Sequence, residues 1–497
     1  MASCCYPADI FSWIQNLPPI AEWQNNFISI CICSSASSSQ PSLNLCVTKN
    51  LTSSTISFSI NANFNLSFSL WTSKSIKTNS KSLKLLDDDN ISSFLTNLIE
   101  DVLSYCSNKC KSSIKVPKLN FVSNLKDIFN LAFLSLSFLI CIYEAPADLR
   151  SGCLANLKTE LTNCRLREGS KLLMRIIGSN LEEQWMRSIN LAITNWISEI
   201  QVANRIIKTP SPLFSYSFST FEFWKVQLYC PVIAMDIESS GYPLAGEKLL
   251  FSLKHHQLEG VMQFNYRVIV QEKWVDVIAT IDNIRCDVIR LVNDSLMMKQ
   301  GVGTEEKHFP SRISLYLTPI LQTNILSVSV GKSSDNPITE IEVEKSMETS
   351  FDPPNTFLGF RLSVGETVST SLKPWKFEES VYGYSAIMNW FLHDSMDGRE
   401  VSSSKPSKMA LINPRAWFKD RYSSAHRPFT RQGGVVFARD EYGNGIRWKV
   451  DKNALGKTMD WEIKGRIWLT YWPNKHRTFY SETRMLEFRE IVHLTIA

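Results

Sequence analysis

Two periodicities divide this chain. From Ile56 to Leu70 every even position is apolar (Ile56, Phe58, Ile60, Ala62, Phe64, Leu66, Phe68, Leu70), and every odd one is Ser or Asn. Period two predicts one long β-strand, with Leu43–Val47 as a candidate partner. Its apolar face is too long to stay bare, so the strand is expected to pair within the β-structure further along the chain. After Asp87-Asp88-Asp89 the spacing changes to three and four. Leu95, Leu98, Val102 and Tyr105 share a helical face, and so do Leu181, Trp185, Ile189, Ile193, Trp196 and Ile200. Asn180 and Glu183 have capping-box spacing, and Pro210 and Pro212 stop any continuation. From Leu213 period two returns. Met262–Val270 and Val275–Ile281 flank a polar turn and read as a hairpin. Further strands are expected at Ile313–Leu317, Leu326–Val330, Ile463–Tyr471 and Leu486–Ile496, and a turn at Gly365-Glu366.

The fold class that follows is α+β, a helical layer packed with a large antiparallel β-sandwich or open barrel. The expected divisions are an N-terminal segment (1–86) whose long strand joins the main sheet, a helical region (87–208) and an antiparallel β-rich domain (209–497). The most hydrophobic stretch is Ile128–Tyr143, sixteen uncharged residues between Asp127 and Glu144. As a helix it is about 24 Å long, short for a bilayer, and no basic cluster flanks it. A buried core helix is therefore the first reading, ahead of a membrane span.

Composition sharpens these divisions. The chain has 497 residues, 44% apolar and 20% charged, which places it among globular proteins of more than one core. Neither Gly nor Arg occurs before Arg150 and Gly152, and the last of the 12 cysteines is Cys286. Cys4-Cys5, Cys31-x-Cys33 and Cys106-x3-Cys110 lack the paired spacing of zinc sites, so free thiols in a reducing compartment are expected. The N-terminus lacks the basic region and apolar core of a secretory signal. A Ser-rich, acid-poor start suits a transit peptide, but the strand pattern at Ile56–Leu70 argues against one. The expected location is intracellular, cytoplasmic or nuclear, with the plastid as alternative.

No catalytic or cofactor motif stands out. Gly301-x-Gly303 lacks a third glycine, because Glu306 stands there. Gly383-Tyr384-Ser385 fails the nucleophile-elbow pattern at Ile387. His255 and His256 are adjacent on an expected strand and so face opposite ways. His393, Asp394 and Asp397 suit a polar turn better than a metal site. No cofactor and no metal is implied.

Charge is concentrated instead. Between Lys405 and Val450, ten Lys/Arg stand against Asp420, Asp440 and Glu441, a net +7, interleaved with Trp417, Phe418, Tyr422, Phe429 and Trp448. The candidate anion-binding residues there are Arg415, Lys419, Arg421, His426, Arg427 and Arg431, ending at Gly433-Gly434. A second group, Trp472, Lys475, His476, Arg477, Tyr480 and Arg484, is expected in the loop between the last two strands. Arg477 is expected to converge with the first group. The competing reading is a solvated loop whose arginines pair with acidic residues elsewhere.

The stretches NPRAWFKDRYSSAHRPFTRQGGVVF and LEEQWMRSINLAITNWISEIQ resemble sequences of an uncharacterised plant protein family, over most of the chain. That family has no assigned function, so the resemblance implies no activity, ligand or catalytic residue. The residues themselves point to a non-catalytic intracellular binding or scaffold protein with a basic-aromatic anion-binding surface. Its partner would be an anionic ligand, a protein or RNA. The alternatives are an RNA- or nucleic-acid-associated protein and a carbohydrate- or lipid-acting enzyme. The last would use the many tryptophans, though no carboxylate pair stands out as acid and base.

Overall fold

The computed structural model describes residues 9–496 apart from 35–40, 51–54, 64–66, 79–84, 107–115, 117–123, 162–163, 201–213, 239–246, 300–306, 332–338, 347–364, 373–374, 393–433, 439–444 and 473–481. It is the expected α+β arrangement. A short helix α1 (Ile10–Gln15) precedes the strands β1 (Phe27–Ser34), β2 (Ser42–Lys49), β3 (Thr55–Asn63), β4 (Ser67–Thr72) and β5 (Ile76–Lys77). They form one antiparallel sheet ordered β1-β2-β3-β4, with β5 also on β3.

This sheet corrects two expectations. The Ile56–Leu70 alternation is two strands, not one, because a hairpin preserves period two and the pattern cannot see the turn. These strands also pair only with their N-terminal neighbours and do not join the C-terminal sheets. The helical region covers their apolar face. The Phe58 ring stacks on Phe94 of the first long helix at 4.4 Å.

The helical region comprises α2 (Asp88–Ser104), α3 (Leu125–Tyr143), α4 (Ala147–Leu161), α5 (Cys164–Ile177) and α6 (Ser179–Ile200). Asp87 caps α2 by accepting from the Asn90 N–H at 2.8 Å. Gly178, at φ +81°, lets the chain turn from α5 directly into α6, so Asn180 lies within the helix rather than at its cap. Helix α3 is long and apolar enough to cross a membrane, yet every residue from Ile128 to Ile142 is buried, and α1, α2, α4, α5 and α6 surround it. A helix apolar on all sides needs such enclosure, and here protein supplies it. Cys33 of β1 and Cys153 of α4 form a disulfide with Cα atoms 5.7 Å apart, contrary to the expectation of free thiols; Cys46, Cys141, Cys230 and Cys286 are free.

The remaining chain runs β6 (Ser215–Thr220), β7 (Phe223–Pro231), β8 (Asp236–Ile237), α7 (Glu247–His255), β9 (His256–Val270), β10 (Trp274–Arg290), α8 (Asp294–Lys299), β11 (Lys307–Pro319), β12 (Ile325–Ser329), β13 (Thr339–Ser346), β14 (Gly365–Leu372), β15 (Trp375–Tyr382), β16 (Ser385–Leu392), β17 (Gly434–Ala438), β18 (Ile446–Asp451), β19 (Thr458–Trp472) and β20 (Glu482–Thr495). One sheet is ordered β12-β18-β10-β9-β7-β6, with β17 also on β10; the second is β15-β16-β11-β19-β20-β8. The β9–β10 hairpin is where the alternation placed it. Gly365 and Glu366 are strand residues of β14, opposite Ser346 and Lys345, not a turn. In β12 the buried residue is Ile325 while Leu326 is exposed, so the strand faces opposite to its apparent pattern.

The two sheets pack face to face. Trp461 of β19 meets Trp224 of β7 at 5.6 Å and Trp448 of β18 at 6.0 Å between ring centroids. Trp448 is therefore core and not a platform in the basic stretch. The outer face of the second sheet carries cross-strand ion pairs, Arg466 and Lys464 with Glu487 and Arg489 with Glu462, the pattern of a wet surface. The first sheet differs. The burial of β9 begins with five consecutive buried residues, then alternates, then ends exposed. Its first third is covered on both faces, by the second sheet within and by α6 without.

Two expectations follow. A methyl group built on Gly465 of β19 would collide with the ring of Phe488 opposite, so Gly465→Ala should cost about 1–3 kcal/mol in urea unfolding. Reductant should lower stability by roughly 2–4 kcal/mol through the Cys33–Cys153 bridge. A doubly substituted Cys33→Ala/Cys153→Ala protein should show no further response to reductant.

Candidate functional site

The residues singled out as an anion surface, Arg415, Lys419, Arg421, His426, Arg427, Arg431 and Arg477, lie outside the described residues. The strands that carry these segments are described, and their ends can be placed. Strand β16 ends at Leu392, just past the Arg312↔Phe391 pair, and β19 ends at Trp472, opposite Lys307. Strand β20 resumes at Glu482, opposite Tyr471. Strand β17 begins at Gly434, opposite Asp287, three residues from the end of β10. The His256 and His308 rings, 5.5 Å apart, bridge the two sheets at this same end. Segments 393–433 and 473–481 are thus both anchored at one end of the sandwich. Gly434 is a ladder residue and not part of an open loop. Arg484, counted with the loop residues, is a buried strand residue of β20 whose guanidinium pairs with Glu482 and donates to the Met235 carbonyl at 3.1 Å. His393, Asp394, Asp397, Gly301 and Gly303 also lie outside the described residues.

Beneath these strand ends sits a buried polar cluster. His255 closes α7 and His256 opens β9, so they are not two neighbours on one strand. The Ser252 hydroxyl is 2.6 Å from His256 Nδ1 and 3.5 Å from His308 Nδ1, the tautomers deciding who donates. His308 is fully buried, its ring lies 5.0 Å from Tyr471, and its Nε2 has no hydrogen-bond partner among the described residues. Burial first, then the neighbouring His256 and the Arg484 charge, hold His308 well below the usual imidazole range. Burial, with Lys254 beside it, lowers His255 to about 4. Among the described residues no group of three or more His, Cys, Asp or Glu could hold a metal.

On the other side of the first sheet, α6 closes a second network. Arg187 donates from Nε to Glu259 Oε1 at 2.8 Å and from its terminal nitrogen to Glu259 Oε2 at 3.0 Å, a bidentate pair, and it also reaches Glu183 at 3.1 Å. Gln257 donates to Glu259 at 2.9 Å, and Asn190 to Gln257 at 2.7 Å. Glu182 accepts from the hydroxyls of Tyr216 and of Tyr229, the latter at 3.0 Å. Arg285 pairs with Asp287 at 2.6 Å. Desolvation dominates here and raises Glu182, Glu183 and Asp287, against the pull of Tyr216, Arg187 and Arg285 respectively. The carboxylates outnumber the arginines, and Gly434 enters the sheet directly beside them. Sequence reading missed this network. Glu183 was placed in a capping box with Asn180, and Glu182 and Glu259 were not singled out. The available signal was the pair of polar residues, Gln257 and Glu259, at the start of a strand with no matching turn.

No protein-family model and no curated protein matches the chain. Solved structures that resemble it include the Clostridium perfringens delta-toxin at TM-score 0.20 and 8% identity, covering 56% of this chain and 99% of the toxin. The Clostridium perfringens NetB toxin in its membrane-inserted form follows at TM-score 0.18 and 7% identity, covering 56% and 98%. A chain described as a pore forming protein gives 0.18 and 9%, covering 56% and 99%. Likenesses of this size carry no functional argument.

The histidine cluster predicts an acid-sensitive sandwich. A histidine whose folded pKa is lowered leaves the unfolded chain holding more protons below pH 6.5. Stability is therefore complete above 6.5 and is lost as pH falls towards the folded value. For His255 that window runs from 6.5 to about 4, on the order of 3 kcal/mol at about 1.4 per unit. Urea midpoints measured from pH 7 to 5 should fall, and His308→Gln should flatten the fall.

Proposed function

We propose that the chain is a non-catalytic binding or scaffold protein whose two basic-aromatic segments form an anion-binding surface at one end of the sandwich. The observation that carries this reading is the common anchoring just described. Leu392, Gly434, Trp472 and Glu482 leave or enter the sheets at the same end. Like charges gathered at one end would be unfavourable unless an anion shared the surface.

A competing use of the same arginines has support too. The surplus of carboxylates at Glu182, Glu183, Glu259 and Asp287 stands beside the point where the first segment enters the sheet. Arginines that fold back onto it would be internal ion pairs and not a ligand site. The enzyme reading gains nothing from the largest core tryptophans. Trp224, Trp390, Trp448 and Trp461 are fully buried and serve the core, so they offer no sugar a platform. The Cys33–Cys153 bridge favours an oxidising compartment over the cytosol or nucleus expected from the cysteine spacing.

An anion site should raise the melting temperature with phosphate or polyphosphate, but not with chloride at equal ionic strength. Arg415→Ala, Arg421→Ala, Arg427→Ala, Arg431→Ala and Arg477→Ala combined should abolish the rise. RNA as the ligand would bind with a logarithmic salt slope of about −0.7 per phosphate contacted. A flat response across the anion series would leave the arginines to internal pairing.

A further inference from the structure

Strand β11 carries a β-bulge at Ser311, between Pro310 and Arg312. The bulge turns Arg312 onto the outer face of the second sheet, directly between two aromatic residues of the neighbouring strands. Phe391 of β16 lies on one side and Trp468 of β19 on the other. The guanidinium carbon is 4.9 Å from the centroid of the Phe391 ring and 4.4 Å from that of the Trp468 ring. Trp468 is itself fixed. Its indole N–H donates to Glu238 at 2.7 Å, and its carbonyl accepts from the Ser311 hydroxyl at 3.3 Å. A planar cation attracted to two rings is held in one place.

Its hydrogen-bonding capacity is unused. Arg312 Nε is buried without a partner among the described residues, and no carboxylate among them forms an ion pair with the guanidinium. Elsewhere Arg187 and Arg466 are half-buried and Arg484 is buried, and each has its carboxylate, in Glu259, Glu487 and Glu482. A half-buried charge left alone is costly and calls for a counter-charge. The neighbouring acids do not supply it. Lys376, opposite Phe391, pairs with Glu378, and Glu487 is shared by Arg466 and Lys464. Four cations, with Arg312 counted, thus stand against three carboxylates, and the third of these, Glu238, is engaged by the indole.

We propose that Arg312 is the fixed contact of a phosphoryl-binding site, with Phe391 and Trp468 as its clamp. The inference rests on the anion surface proposed above and names the ligand of that surface. Arg312 pairs with Phe391 one residue before β16 ends, at the end of the sandwich where segment 393–433 leaves the sheet. Arg312 is partly exposed, so its terminal nitrogens are the edge a ligand meets. That edge offers an oxyanion two parallel N–H groups, and a guanidinium already held in place loses little freedom on binding. Oxygens and charges decide between carboxylate and phosphate. One guanidinium uses both oxygens and the single charge of a carboxylate. A phosphoryl group keeps a further oxygen and further charge for the arginines of the basic segments.

The full-length protein is titrated with inorganic phosphate and with acetate, at an ionic strength held constant with chloride, and affinity is read from the rise in melting temperature. Phosphate should raise it and acetate should not. Arg312→Lys keeps the charge but removes the planar edge, and should weaken phosphate binding by roughly tenfold or more. Each variant is compared with its own phosphate-free melting temperature, so lost packing on Trp468 does not enter. Should Arg312→Lys fail to fold, Phe391→Leu keeps the guanidinium, removes one ring, and should also weaken binding. Arg267→Gln, at an exposed position of β9, should leave binding unchanged. A parent that does not respond to phosphate would sink both this site and the anion surface. A response lost in the five-arginine variant but kept in Arg312→Lys would leave the surface standing and overturn Arg312 as its contact. An equal response to acetate would overturn the phosphoryl ligand, and a loss as large in Arg267→Gln would reduce the effect to overall charge and overturn the site.

Discussion

The outer face at the start of β9 must be dry, and the carboxylate of Glu259 lies on it. That constraint organises the rest. A carboxylate taken out of water is tolerable only when paired and fully hydrogen-bonded, and Arg187 supplies a bidentate partner from α6. The pair is weak as a net source of stability and strong as a fixing of register, because removing either partner strands the other. Arg187 meets Glu259 only when α6 lies at one height and rotation on the sheet. Helix α6 touches α2, α3 and α5 as well as β7, so this contact helps to place the helical layer on the sheet. Gln257 adds a further hydrogen bond to Glu259, and Asn190 in turn donates to Gln257, which leaves little freedom to slide.

Much of the secondary structure was legible in the sequence because burial on one face leaves a period. The β9–β10 hairpin, α2, α6 and the core strand Ile463–Tyr471 all show it. Pairing was less legible. Period two is the same for one long strand and for a hairpin, so Ile56–Leu70 concealed its turn, and it says nothing of which sheet a strand joins. Leu326 shows the opposite failure, where an outward apolar residue imitates an inward one. The candidate site was legible only as composition. Its residues come from distant parts of the chain, and Glu182, Arg187 and Glu259 acquire their meaning only when α6 is laid on β9. His255 and His256 were read as strand neighbours because no local signal marks a helix that ends where a strand begins.

The two ends of the sandwich differ in chemistry for a physical reason. Where α6 covers the first sheet, polar groups are enclosed and must satisfy one another, so charge is fixed in position. At the far end no described element covers the sheet, and β9 ends in exposed residues.

The last strand has a bearing on how the chain is made. Strand β20 pairs with β8 at Met485↔Asp236, and its Glu490 accepts from Ser215 at 2.8 Å across 275 residues. The N-terminal sheet and the helices close among near neighbours and can form while the rest is still being synthesised. The first sheet cannot. Its inner face, with Trp224 and Trp448, is not fully covered until β19 and β20 have left the ribosome. Such a delay, set by topology and not by any single contact, makes nascent chains dependent on shielding. Truncation near the C-terminus would therefore do more than shorten a strand. It would leave an apolar sheet permanently open.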